Sequence, residues 1–320
     1  MFFYQRYKPW VFLILAIAAG TGAVSKSNHG QSWEVILNGT IALISFVVFL
    51  FLLMKSKTAN GTSSANKGNG WLIVFFTILG ALAAAAMIPY QVEAGLLDIV
   101  VERSGGSLMT ASLLTILQTA FITMFASYIG FTLNKQVNLG APILRKALIE
   151  RVTPSFSARW LLISIIGSTI GTLLVAVLEV KVFQPLLSIS TVIDVTIWKT
   201  ALLMFYGGIV EEVMLRLGLM TFIVWILSRT YRKQGVEIPS SLYWISILGS
   251  AILFGLGHLP ATMVAFGSLS AVIVIRALVL NGLLGVFFGY LYWKKGIEYS
   301  IIAHMCADLF LHVVWFQVFI

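Results

Sequence analysis

Charge is what this sequence has least of. Charged side chains make up 10% of the 320 residues, against about 25% in an ordinary soluble domain. With 59% hydrophobic residues and a mean hydropathy of +0.96, too little polar chain remains for a folded aqueous domain. A soluble enzyme on a membrane anchor is excluded. Cysteine is nearly missing as well. The single one, Cys306, excludes an intramolecular disulfide and any cysteine-rich zinc or iron–sulfur site.

What the sequence does have is apolar length. A helical span needs roughly 20 residues, and apolar stretches run over 10–24, 35–54, 71–88, 108–133, 160–180, 201–227, 243–264, 270–293 and 299–320. All read as helices, which predicts an all-α polytopic transmembrane bundle of eight or nine spans. When the connections are assigned alternately to two sides, 15 of the 21 basic residues collect on the side of the N-terminus. Lys26, Arg103, Lys181 and Lys199 fall on the other, and Arg216 and Arg276 fall inside spans. The positive-inside rule then makes the N-terminus cytoplasmic and the C-terminus external. The net charge of +9 therefore reports topology, and nucleic acid has no basic domain to bind.

Arg6 and Lys8 ahead of the first stretch also suit a signal peptide, but a retained helix is the expectation. The Gly/Ser/Asn-rich segment 55–70 reads as a flexible cytoplasmic loop. Segment 134–157 mixes apolar and basic residues, as a short interfacial helix or an ordinary connecting helix would.

Ionisable side chains inside spans concentrate after residue 200. Glu211, Glu212, Arg216 and Asp308 together cost on the order of 10 kcal/mol on the insertion scale. Such groups persist where they pair, line a wet cavity or act. Glu212 and Arg216, four apart, share a helix face and can pair, whereas Glu211 is rotated about 100° away. One carboxylate is neutralised and the other is left over as a candidate general base; a purely structural network is the alternative. Phe254 and His258 share a face across Gly255 and Gly257, and Pro260 is expected to kink or end that helix. His304 and Asp308 are again four apart, with Cys306 turned away and His312 one turn further on. Gly282, Gly285 and Gly289 form a small-residue seam, beside which Asn281 suits an interhelical hydrogen bond.

Taken in order, these elements resemble the CPBP (CAAX-processing and bacteriocin-processing, or Abi) intramembrane proteases. That family carries EExxxR, then FxxxH, then a final HxxxN or HxxxD-like element after a Gly-rich helix. The matching residues here are Glu211, Glu212 and Arg216; Phe254 and His258; and His304 with Asp308. The resemblance covers about residues 198–312 and implies a catalytic transmembrane core over 198–320; the N-terminal transmembrane helices expected over 1–197 carry none of its motifs. It implies an intramembrane endopeptidase in which Glu211 with His258 activates a water, and His304 with residue 308 stabilises the oxyanion. Glu212, Arg216, Phe254 and Asn281 support them. Asp308 stands where the family most often has Asn. An ionised Asp cannot donate to an oxyanion, so it either carries a proton or orients His304.

Two other functions fit the same residues. Glu211, His258 and His304 form a possible zinc set with Asp308 behind it, although no HExxH is present and the resemblance implies neither metal nor other cofactor. A non-catalytic scaffold or regulator of the same fold is the second. The expected partners are a peptide or protein substrate, lipidated or membrane-associated, and membrane lipid. A short-looped polytopic chain suits a bacterial plasma membrane.

Overall fold

A computed structural model describes residues 64–187 and 195–315. Every regular element among them is helical. In chain order these are α1 (Ser64–Glu93), α2 (Asp98–Arg103), α3 (Leu108–Val137), α4 (Pro142–Arg145, continued by a π turn Lys146–Glu150) and α5 (Ala158–Leu178, extended through Gln184–Leu187). Next comes α6, a composite of Ile197–Ala201, Leu203–Phe205, the π-wound Tyr206–Glu211 and Val213–Met220, and Thr221–Leu227. The last are α7 (Arg229–Gln234), α8 (Ser240–Gly257), α9 (Leu259–Phe266), α10 (Ala271–Lys295) and α11 (Ile297–Leu309, followed by a π turn Phe310–Trp315).

Six helices are long and apolar enough to cross a bilayer: Gly68–Glu93, Leu108–Val137, Ala158–Leu187, Ser240–Phe266, Ala271–Lys295 and Ile297–Trp315. The chain is an integral membrane protein built as a helical bundle. The stretches 10–24 and 35–54, with the signal-peptide question, lie outside the described residues. The stretch 201–227 falls within α6, which is helical but repeatedly rewound. The loop reading of 55–70 is corrected at its end. From Ser64 the chain is already helical, and Asn69 donates to the Phe131 carbonyl at 2.5 Å and accepts from Arg145 at 2.5 Å. A polar segment with partners on α3 and α4 has reason to extend the helix. Within segment 134–157, a short helix does form at α4, with Ile143 buried and Leu148 and Val152 exposed.

The bundle is packed with small and hydroxylated residues inside and large apolar ones outside. On α5, Ser164, Ser168, Thr172 and Val175 face inward, while Leu162, Ile166, Ile170 and Val177 face outward. Lipid is as apolar as leucine, so helices gain by close packing and interhelical hydrogen bonds rather than by hiding large side chains. Ser168 supplies one such bond, donating to the Ala303 carbonyl at 2.6 Å. Glycines bring α6 against α3. A Cβ on Gly218 would sit 2.9 Å from Ala126 Cβ, and one on Gly130 would strike the Leu217 backbone. The expected seam does the same between α10 and α8, where Gly285 meets Ala251 and Phe254, and Gly289 meets Ile247.

The two ends of the bundle differ in charge. One carries Lys135, Arg145, Arg232, Lys294 and Lys295, with ammonium or guanidinium groups over the rings of Trp225, Trp293 and Trp160. The other carries acid–base pairs: Glu93 with Lys199 at 2.8 Å, and Glu179 with Arg276 at 2.7 and 2.9 Å. Arg276, which sequence placed inside a span, sits near the start of α10 and is thus matched by a partner on α5's extension.

Glu298, which lies between the apolar stretches 270–293 and 299–320, is buried in the first turn of α11. Its Oε1 accepts the backbone N–H groups of Ile143 and Leu144, each at 2.8 Å. Ile297 donates to the Gly140 carbonyl at 3.0 Å alongside. The core helix α11 is thereby tied to α4. Glu298→Ala should strand two amides in a dry contact and cost about 1–3 kcal/mol. Thermal unfolding in detergent reads this directly, and an unchanged melting temperature would show that the tie carries no weight.

Candidate active site

The deepest charged group is Glu212, fully buried together with Arg216. Their i,i+4 spacing survives the π winding of α6, and Arg216 Nε lies 3.3 Å from Glu212 Oε2. Arg216 is enclosed by two aromatic faces, with its guanidinium carbon 5.3 Å from the Phe254 ring centre and 5.7 Å from that of Phe288. Its Nη2 donates to the Gly285 carbonyl at 3.2 Å. Gly285 thus provides both a close approach to α8 and an acceptor for the cation.

Glu212 spends its other lone pairs on α11. His304 Nδ1 lies 2.8 Å from Glu212 Oε1, and Ser300 Oγ donates to Glu212 Oε2. The His304 ring is stacked on Phe288 with centroids 4.5 Å apart, so its plane is fixed as well as its Nδ1. The remaining ring nitrogen, Nε2, faces two carboxylates: Glu211 Oε2 at 3.6 Å and Asp308 Oδ1 at 3.7 Å. These two side chains are 19% and 17% exposed, against none for Glu212 and Arg216. The buried pair is inaccessible, and the reachable acids lie beyond it.

Two glycines make this convergence possible. A Cβ on Gly207 would overlap Asp308 Oδ2 and lie 3.0 Å from His304 Nε2, and one on Gly208 would overlap Met305. Successive glycines one turn before Glu211 therefore let α11 press its polar stripe onto α6. The π-wound segment occupies the same stretch, and such windings recur at functional sites.

His258 stands at the junction of α8 and α9. Pro260 lacks the N–H that would continue the helix, and the chain breaks at His258 as expected. The His258 N–H turns to the Gly255 carbonyl at 3.2 Å, which leaves the Phe254 carbonyl for the imidazole Nδ1 at 2.9 Å. With Nδ1 donating there, Nε2 is the free acceptor. The Phe254 ring packs edge-on against both His258 (4.7 Å) and His304 (5.9 Å), linking the two. His312 lies within electrostatic range of His304 and His258.

The structure thus gathers Glu211, Glu212, Arg216, Phe254, His304 and Asp308, with His258 joined through Phe254. Asn281 differs from expectation. Its amide donates to the Ala277 carbonyl one turn back on its own helix, at 2.9 Å, rather than across to another. Among the described residues no group of three His, Cys, Asp or Glu side chains is disposed to hold a metal ion, so the zinc set is not gathered. Ser300, Phe288, Gly207 and Gly208 were missed. Ser300 falls on the stripe of His304 and Asp308, and the glycine doublet precedes the paired glutamates, so both signals were present.

Bundle and site together define a membrane protein with a buried acid–imidazole centre. Residues 193–310 match the family described as type II CAAX prenyl endopeptidase Rce1-like, so this region of the chain is similar to the CPBP/CAAX membrane proteases. Comparison with curated proteins and with solved structures finds no match.

Glu212→Gln should destabilise the fold, because it leaves Arg216 without its counter-charge in a dry site, at about 3–5 kcal/mol. Gly207→Ala should leave the fold assembled but displace Asp308. A melting curve and a single-turnover assay on each variant separate the two effects. Gly207→Ala with full activity would show that the Asp308 position is not set there.

Proposed function

We propose that this chain is an intramembrane endopeptidase of the CAAX type that hydrolyses a peptide bond with a water activated by Glu211 and His258. The observation that carries the reading is the division of labour between the paired glutamates. Glu212 is committed to Arg216, Ser300 and His304, whereas Glu211 is free of that pair, partly exposed and aimed at the open edge of His304. A carboxylate so placed can take a proton from water as the oxygen adds to the scissile carbonyl carbon. His258, with Nδ1 occupied, offers Nε2 for the same water and for returning a proton to the leaving amine.

In this reading the tetrahedral oxyanion meets His304 Nε2 and the Asp308 carboxyl. Glu212 and the Phe288 ring already orient His304, so Asp308 is best used facing Nε2, carrying a proton when it donates. In this reading the core over 198–320 carries the chemistry and the chain over 1–197 does not. A prenylated C-terminal tail is the favoured substrate, because the matched family is named for such peptides. The plasma membrane of a bacterium suits the short-looped chain.

Glu211→Gln should abolish cleavage of a farnesylated CAAX peptide with no change in melting temperature, since it removes the base and keeps the shape. Cleavage by this variant at the wild-type rate would overturn the assignment, and an inactive wild type on farnesylated and unmodified peptides alike would favour the scaffold. Metal content is an independent check. Purified active protein should carry no stoichiometric zinc and keep its rate in chelator, and zinc lost on His258→Ala would overturn the metal-free reading.

A further inference from the structure

At the basic end of the bundle, remote from Glu211, the turn between α3 and α4 and the end of α10 enclose a cleft of about 470 Å³. Arg145, Lys294 and Lys295 line it with positive charge, and Asn134 and Trp293 line it beside them. The cations are held in place. Lys294 Nζ sits 3.4 Å from the centre of the Trp293 ring, that ring is stacked on Tyr243 at 4.9 Å, and Arg145 is anchored to Asn69. No acidic side chain is among the lining residues, and the Glu298 carboxylate beneath Gly296 is buried, with its Oε1 taken up by the Ile143 and Leu144 amides.

Asn134 is the second observation. The residue lines the cleft at 7% exposure, and its Oδ1, buried beneath the cleft's surface, has no hydrogen-bond partner. A buried amide oxygen left unsatisfied costs about 1–3 kcal/mol, so a donor is wanted there. The cleft therefore asks for an anion beside the cations, and a hydroxyl that draws the closed-off Asn134 amide outward would satisfy its oxygen.

We propose that the cleft binds a glycerol phosphodiester, its phosphate against Arg145, Lys294 and Lys295 and a headgroup hydroxyl on Asn134. Such a group comes from an anionic membrane lipid or from a soluble phosphodiester. The cleft's place among interfacial tryptophans and lysines favours the lipid.

The test follows Trp fluorescence of the full-length protein in neutral detergent, titrated with short-chain phosphatidylglycerol, phosphatidylpropanol, phosphatidylcholine and soluble glycerophosphoglycerol. Phosphatidylglycerol should bind saturably and roughly tenfold or more tighter than phosphatidylcholine, and Lys294→Gln with Lys295→Gln should remove that difference. Phosphatidylpropanol, anionic but without the hydroxyl, should bind about fivefold weaker than phosphatidylglycerol in the wild type and equally in Asn134→Ala. Glycerophosphoglycerol binding as tightly as the lipid would assign the site to the soluble source. Equal binding of phosphatidylglycerol and phosphatidylcholine, or a phosphatidylglycerol preference untouched by the lysine changes, would overturn the proposal. The lysines are at the bundle's end, so that arm stands even if Asn134→Ala fails to fold.

Discussion

The Glu212 carboxylate is the point on which the centre of this bundle depends. It lies fully buried in an apolar bundle, which is tolerable only because each oxygen is engaged: Oε2 by Arg216 and Ser300, Oε1 by His304. Removing either charge alone would leave the other uncompensated where water cannot reach it. The network also reaches four helices. Arg216 extends it to the Gly285 carbonyl on α10 and to Phe254 on α8, and Ser300 and His304 extend it to α11. In lipid, where hydrophobic burial drives little helix association, such bonds and the glycine contacts beside them hold the helices in one arrangement.

That arrangement explains why two adjacent glutamates differ so completely. Their directions from α6 differ by about one residue's rotation, roughly 100°. One direction leads into the Arg216 pocket between two phenylalanine rings, the other to the open edge of an imidazole. His304 is gripped at Nδ1 by the buried glutamate and faces Glu211 and Asp308 at Nε2, so its ring joins the structural and the accessible halves of the site.

Much of this was legible in the sequence because it rests on helix periodicity. The Glu212–Arg216 pairing, the shared faces of Phe254 with His258 and of His304 with Asp308, and the break at Pro260 follow from spacing and local sterics. Spacing also marks Ser300 on the stripe of His304 and the glycine doublet ahead of the glutamates, but not what they and Phe288 touch, because each acts on a residue of another helix and one chain's periodicity says nothing of which helix lies opposite. Asn281 illustrates the converse. An amide in a span needs an acceptor, but sequence does not choose between a neighbour and the carbonyl one turn back, and here the nearer one is taken. Glu298 lies just before the apolar stretch 299–320, and its burial was not legible because its partners, the amides of α4, lie far from it in the chain.

The i,i+4 placement of Glu212 and Arg216 also bears on how the protein is made. Gly285, Phe288, Ser300 and His304 all follow α6 in the chain, so during synthesis the two charges reach the membrane before most of their eventual partners exist. The contact between them is the one part of the network that a single helix can form by itself. The helix can therefore enter the bilayer as a self-neutralised segment, and the later helices build the completed four-helix centre around this retained pair.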